Sequence, residues 1–124
     1  MRRYVLLAYG DEQQLDTLSH SERDTLTNAC LANDAALWNS GHLLAVEELE
    51  SSRNAITVRV QPGQLSVRAG PYAETTEQLI GIFTIIARDL NEAIQVAARL
   101  PQAQGGPIEV RPLVAFEQPY PDQD

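Results

Sequence analysis

Two stretches of the chain are apolar at both alternating positions: residues 3–9 (RYVLLAY) and residues 80–87 (IGIFTIIA). A strand apolar on both phases is one buried on both faces, so these two are expected at the centre of a sheet. Between and beyond them the pattern changes period. Ser19-His20-Ser21-Glu22 has the spacing of a capping box and predicts a helix from about His20 to Asn39. Leu26, Ala29, Cys30, Asn33 and Leu37 make its inward stripe, with Leu31 and Trp38 on one flank. Ser40-Gly41 ends that helix, Gly41 taking the left-handed cap. Residues 42–49 (HLLAVEEL) read as an edge strand.

Ile56-Val58-Val60 and Leu65-Val67 then alternate with polar residues on either side of Pro62-Gly63, the pattern of a hairpin with one wet face. Residues 69–79 are polar and irregular. Asp89, with Glu92 three residues on, predicts a second capped helix with Leu90, Ala93, Ile94, Ala97 and Leu100 inward, stopped by Pro101. Residues 108–113 form a closing strand. The tail 116–124 (FEQPYPDQD) is rich in proline and acid and is expected to fray or dock on a partner.

The order is β-α-β, an inserted hairpin, then β-α-β, which predicts an α+β, ferredoxin-like sandwich in one domain spanning residues 1–115. Two helices cover one face of a four-stranded sheet. The opposite face, apolar as well, then needs another partner, and a sheet-to-sheet homodimer forming a dimeric α+β barrel supplies it.

Composition narrows the function. Seventeen acids against nine bases give a formal charge of −8, which argues against nucleic-acid or membrane-surface partners. All nine bases are arginine, so chemistry that needs a lysine, such as a Schiff base, has no residue to perform it. Cys30 is the single cysteine, which excludes an intramolecular disulfide and a CxxC pair. A reducing, cytoplasmic setting is the expectation, and no cofactor is expected. The run after Arg2-Arg3 reaches only Gly10 before two acids, too short for the apolar core of a signal peptide.

GPYAETTE, ARDLNEA, AARLP and EVRP, together with the opening RYVLLAYGDE, resemble the YCII-related family in its DGPF-domain branch. The resemblance spans residues 4–113 and implies a dimeric α+β barrel of ferredoxin-like subunits. Members of that branch are often linked to extracytoplasmic-function sigma factors, which by resemblance implies a regulatory setting. The chain departs from the family pattern where Ala69 stands for the leading Asp of the DGPF turn, Tyr72 for its Phe, Ile80-Gly81 for a Gly-Gly pair, and Val46 for the Gly before Glu47. Some relatives are thought to use a His and Asp pair in a small pocket, and Ala69 cannot serve as that Asp.

The candidate residues follow. His42, entering a strand that carries Glu47, offers a general-base unit in which the carboxylate orients the imidazole; an edge histidine without a role is the commoner outcome. Arg68, Tyr72, Glu74 and Glu77 lie on or beside the irregular segment, where Arg68 either binds an anionic ligand or pairs internally. Tyr9 is a candidate ligand-contact aromatic, a core or dimer-contact role being the commoner one. Glu109 and Arg111 share one strand face and suggest an ion pair. Cys30 reads as an inert buried thiol. No metal site is expected, His42, Glu47 and Glu74 being the nearest approach to a ligand set. Two functions compete. One is a homodimeric accessory or regulatory protein that binds a small organic ligand. The other is a small-molecule lyase or hydrolase with His42 as base, Glu47 as its orienter and Arg68 as anion anchor.

Overall fold

A computed structural model describes residues 1–115; the expectation for the tail 116–124 lies outside the described residues. In chain order the elements are β1 (Arg2–Asp11), α1 (Glu12–Asp16), α2 (His20–Asn39), β2 (Leu43–Glu48), a 3-10 turn (Ser52–Asn54), β3 (Ile56–Gln61), β4 (Gln64–Ala69), β5 (Glu77–Ala87), α3 (Leu90–Arg99), a second 3-10 turn (Pro101–Gln104) and β6 (Ile108–Pro112). The architecture is α+β. One sheet has the order β2-β5-β1-β6 with every neighbouring pair antiparallel, and β3 and β4 form a separate two-stranded ribbon. The four-stranded sheet is open, and no barrel closes within the described residues of one chain.

The two doubly apolar strands, β1 and β5, do sit at the centre, but only one face of each is sealed. Tyr4, Leu6 and Ala8 of β1 stand opposite Ile85, Phe83 and Gly81 of β5 on the helix side, where they are buried. Burial of a side chain such as Leu6, Phe83 or Ile85 stabilises by about 1.5–3 kcal/mol. Val5, Leu7 and Tyr9, with Ile82, Thr84 and Ile86, alternate onto the other face and are only half-buried. Neither long helix packs there.

The helices cover their face unequally. α3 is strongly amphipathic and places Ala93, Val96 and Ala97 in the core, followed by Leu100 just past its end. That stripe is rotated from the expected one: Val96 turns in, while Leu90 and Ile94 are about half exposed. α2 starts as predicted. Ser19 Oγ accepts from Glu22 N at 3.1 Å and Ser19 N donates to Glu22 Oε1 at 3.0 Å. It ends as predicted too, at Gly41 with φ +80°. Yet only Leu37 of its twenty residues is buried. Leu26, Cys30 and Asn33 point inward to half-burial, Ala29 is exposed and Trp38 is 61% exposed. A helix carrying Ala29, Ala32, Ala35 and Ala36 among polar residues has little apolar bulk on any face, so it stands off the sheet.

Two local features extend the sequence reading. The segment after β1 forms the short helix α1, capped by Asp11 Oδ1, which accepts from Gln13 N at 3.0 Å. β5 begins at Glu77, three residues before the apolar run, because Gly10 and Asp11 of β1 pair with Gln78 and Glu77. No helix of the described residues is long and apolar enough to cross a membrane.

Candidate functional site

His42 closes the corner between α2 and β2. Its backbone N–H donates to Leu37 O at 3.0 Å and its carbonyl accepts from Ile86 N at 2.8 Å, so α2 is tied to β5 through this residue. The imidazole lies between two partners, with Nδ1 2.7 Å from Ser40 Oγ and Nε2 3.2 Å from Glu92 Oε1. The side chains of His42 and Glu92 are 23% and 14% exposed. Glu92 takes the role expected of Glu47. The reason is register: β2 pairs Glu47 with Ile82, well along the strand from the corner, whereas the capped start of α3 brings Glu92 onto the imidazole.

Glu92 is held from several directions. Asp89 Oδ1 accepts from Glu92 N at 2.9 Å, which is the cap read from sequence. The Glu92 carboxylate reaches one residue beyond the box position, accepting from Arg88 N at 3.1 Å and from Arg88 Nε at 2.5 Å. The Arg88 amide, then its guanidinium, hold the Glu92 carboxyl below the usual carboxylate range against the opposing effect of burial, with His42 adding a lesser contribution.

Ser40, His42 and Glu92 line up in the sense of a hydroxyl–imidazole–carboxylate relay. Ser40 Oγ, however, donates to Leu37 O at 3.0 Å, the same carbonyl at the end of α2 that accepts from His42 N. A hydroxyl already donating there accepts from Nδ1–H rather than being deprotonated by it. His42 also lies outside the lining of the cavity under α2, which includes Glu47. The cluster ties the C-terminus of α2 to the N-terminus of α3.

Arg68 is satisfied internally at the base of the ribbon. Its guanidinium donates to Pro71 O at 3.1 Å and to Glu74 Oε1 at 3.2 Å, under a turn in which Gly70 has φ +108°. Thr57 Oγ1 donates to Gly70 O at 2.8 Å, which fixes the same turn to β3. Tyr72 is exposed with the Arg59 guanidinium 5.7 Å from its ring centroid. Glu77 starts β5 and is exposed. Tyr9 sits on the half-covered face of β1. Glu109 and Arg111 pair with each other along β6. His42, Arg68 and Tyr9 thus occupy three separate places rather than one pocket. Among the described residues no three of His, Cys, Asp and Glu converge into a metal-holding group.

A cavity of about 400 Å³ lies under α2 against β2 and β5. Cys30, Asp34 and Glu48 line it, together with apolar side chains including Leu26, Val46 and Phe83. Cys30 is half-buried rather than buried as expected, and burial, with the nearby charges of Asp34 and Glu48, pushes its thiol up. Asp34 is also raised, by burial first and by Glu48 second. Sequence reading missed this site, because the low apolar bulk of α2 was its only signal.

The ribbon carries the other unexpected surface. Val58 faces Val67 and Val60 faces Leu65, so one side of it is wholly apolar, yet those residues and Ile56 are 58–75% exposed. Thr57, Arg59, Ser66 and Arg68 make the polar side.

A family model described as the YCII-related domain matches residues 2–117. An uncharacterized protein of Rhizobium meliloti (strain 1021) is 34% identical over 116 residues, covering 92% of this chain and 94% of the relative.

Proposed function

The chain belongs to the YCII-related family, and from that premise we propose that it works as a homodimer joined through the uncovered sheet face, an accessory or regulatory protein that binds a small organic ligand without catalysis of its own. The observation that carries the dimer is the pair of unpartnered apolar surfaces. Val5, Leu7 and Ile82 on the outer face of the sheet are only half-buried, and the apolar side of the β3–β4 ribbon is exposed, within the described residues of one chain. A lone two-stranded ribbon is marginal in water, and the five exposed apolar side chains of Ile56, Val58, Val60, Leu65 and Val67 make it worse. Two copies facing each other sheet to sheet, each ribbon lying on the other copy, remove both defects at once.

The strand order β2-β5-β1-β6, antiparallel throughout, supports reading each subunit as ferredoxin-like. The DGPF-type turn Gly70-Pro71-Tyr72 sits at the root of the ribbon and sets its direction, which favours the DGPF branch. The absence of catalysis is supported by the geometry of His42: its partners are a capping serine and a carboxylate already held by Arg88, and it does not line the cavity under α2.

Sedimentation equilibrium at micromolar concentration tests the dimer. A mass twice the 13.7 kDa of the chain agrees with it, and a monomer overturns it.

A further inference from the structure

The strand order leaves β2 and β6 at the rims of the large sheet, and gives each ribbon strand, β3 and β4, one uncovered edge among the described residues. An uncovered edge presents a row of N–H and C=O groups that pairs with any matching strand. β6 is guarded against this. Pro107 precedes it, Pro112 ends it, Glu109 and Arg111 pair with each other, and α3 packs against it. β2 is not guarded in this way. It runs Leu43–Glu48 without a proline, and Ala45, Val46 and Glu47 are exposed.

The two faces of β2 differ in chemistry. Glu47 pairs in register with Ile82, and Ile82 with Leu7, so Glu47 carries the outer-face row to the rim of the sheet. Val46 stands opposite Phe83 on the helix side, where it meets Leu26 and Leu31 around the cavity under α2. A strand that extends this edge therefore needs a positive charge on its outer side and apolar residues on its helix side.

The ribbon has that pattern. On β3, Ile56, Val58 and Val60 alternate with Thr57 and Arg59. Residues 51–73 hold three arginines and no acid in a chain of formal charge −8, so the ribbon is attracted to the acidic surface of another copy. Of those arginines, Arg53 lies 3.6 Å from Asp16 and Arg68 pairs with Glu74. Among the described residues Arg59 and Glu47 form no ion pair. Pairing of two β2 edges would instead bring Glu47 and Glu48 against their own copies, and like charges facing each other work against it.

We propose that β3 of one subunit adds as a strand to the β2 edge of the other, Val58 and Val60 turning to the helix side beside Val46 of the partner subunit and Arg59 facing Glu47 of the partner subunit. The pairing uses the rim of the sheet and leaves its outer face free. It rests on the homodimer reading above and specifies where each ribbon lands.

The test is sedimentation equilibrium of the full chain at low salt, with the variants Arg59→Glu and Glu47→Arg. Both positions are exposed, so both variants keep the fold. Each variant alone sets like charges against each other at both symmetry-related contacts and is expected to weaken the dimer about tenfold, ~1.4 kcal/mol. Mixed in equal amounts, the two variants are expected to form a heterodimer as tight as the wild type, because both contacts then join opposite charges. A ribbon paired with β2 of its own chain cannot produce that recovery. In a mixed labelled and unlabelled wild-type sample, NOEs between backbone protons of β3 and β2 are expected across the two copies. Variants that dimerise like the wild type, weakening without recovery on mixing, or a dimer without those NOEs each overturn the proposal while leaving the dimer standing. A wild-type chain that sediments as a monomer overturns both.

Discussion

The imidazole of His42 and the carboxylate of Glu92, fifty residues apart in the chain, lie 3.2 Å from each other. That contact joins the end of α2 to the beginning of α3 at the corner where β2 starts. Replacing Glu92 with Gln keeps the shape but removes the charge that accepts from Arg88 and faces His42. The variant is expected to melt below the wild type at pH 7. Because the Glu92 carboxyl is depressed below its usual 4.5, its contribution is present above that pH and is lost as pH falls through the folded-state value. Melting curves from pH 7 to pH 3 should therefore converge at the acid end.

Asp34 has the opposite sign. Burial and Glu48 raise its carboxyl above the usual 3.8, so the folded state holds a proton that the unfolded chain releases, and ionised Asp34 costs stability as pH rises. Asp34→Asn should raise the melting temperature at pH 7. The gain should vanish below pH 3.8, where both states are protonated. A variant that melts lower than the wild type at pH 7 would contradict this picture of the cavity wall.

Gly106 crosses β1 so closely that a Cβ there would lie 2.0 Å from Tyr9 O and 2.9 Å from Tyr9 C. Both are backbone atoms of a central strand and have no room to move. Gly106→Ala should cost about 3 kcal/mol, at or above the upper end for an added methyl group in a packed site. Gly105→Ala, whose nearest new neighbour would be Gln102 O at 3.9 Å, should be nearly neutral. Chemical denaturation of the two variants checks the contrast.

What was legible in the chain was local. Ser19 and Glu22 announced the start of α2 because a capping box closes within four residues, and the two doubly apolar strands were placed at the centre of the sheet by composition alone. What escaped was set by distant packing. Glu47 looked like the partner of His42 because it is near in sequence, but strand register carries it along β2 while a helix from the other half of the chain delivers Glu92. Of the inward stripe expected on α3, Ala93, Ala97 and Leu100 are buried, but packing against β5 and β6 turns Val96 inward in place of the bulkier Leu90 and Ile94. The cavity under α2 was hidden for a related reason: periodicity marks which residues turn inward, not how far the helix stands from the sheet.

Ile82 lies at the centre of the outer sheet face, opposite Leu7. In a sheet-to-sheet dimer Ile82→Lys places an unpaired charge in the interface, costing about 3 kcal/mol or more. That is about a hundredfold in the dissociation constant. In a chain that is monomeric the same change sits at a half-exposed position and should leave both mass and melting temperature nearly unaltered. Sedimentation and melting of the variant distinguish the two.

The most direct measurement is an isotope-filtered NOE experiment on a mixed sample of labelled and unlabelled chains, which reports only contacts between different copies. The account predicts intermolecular NOEs to the methyl groups of Val5, Leu7 and Ile82 on the sheet and of Val58 and Val67 on the ribbon. Intermolecular NOEs confined to α2, or none in a sample that sediments as a monomer, would contradict it.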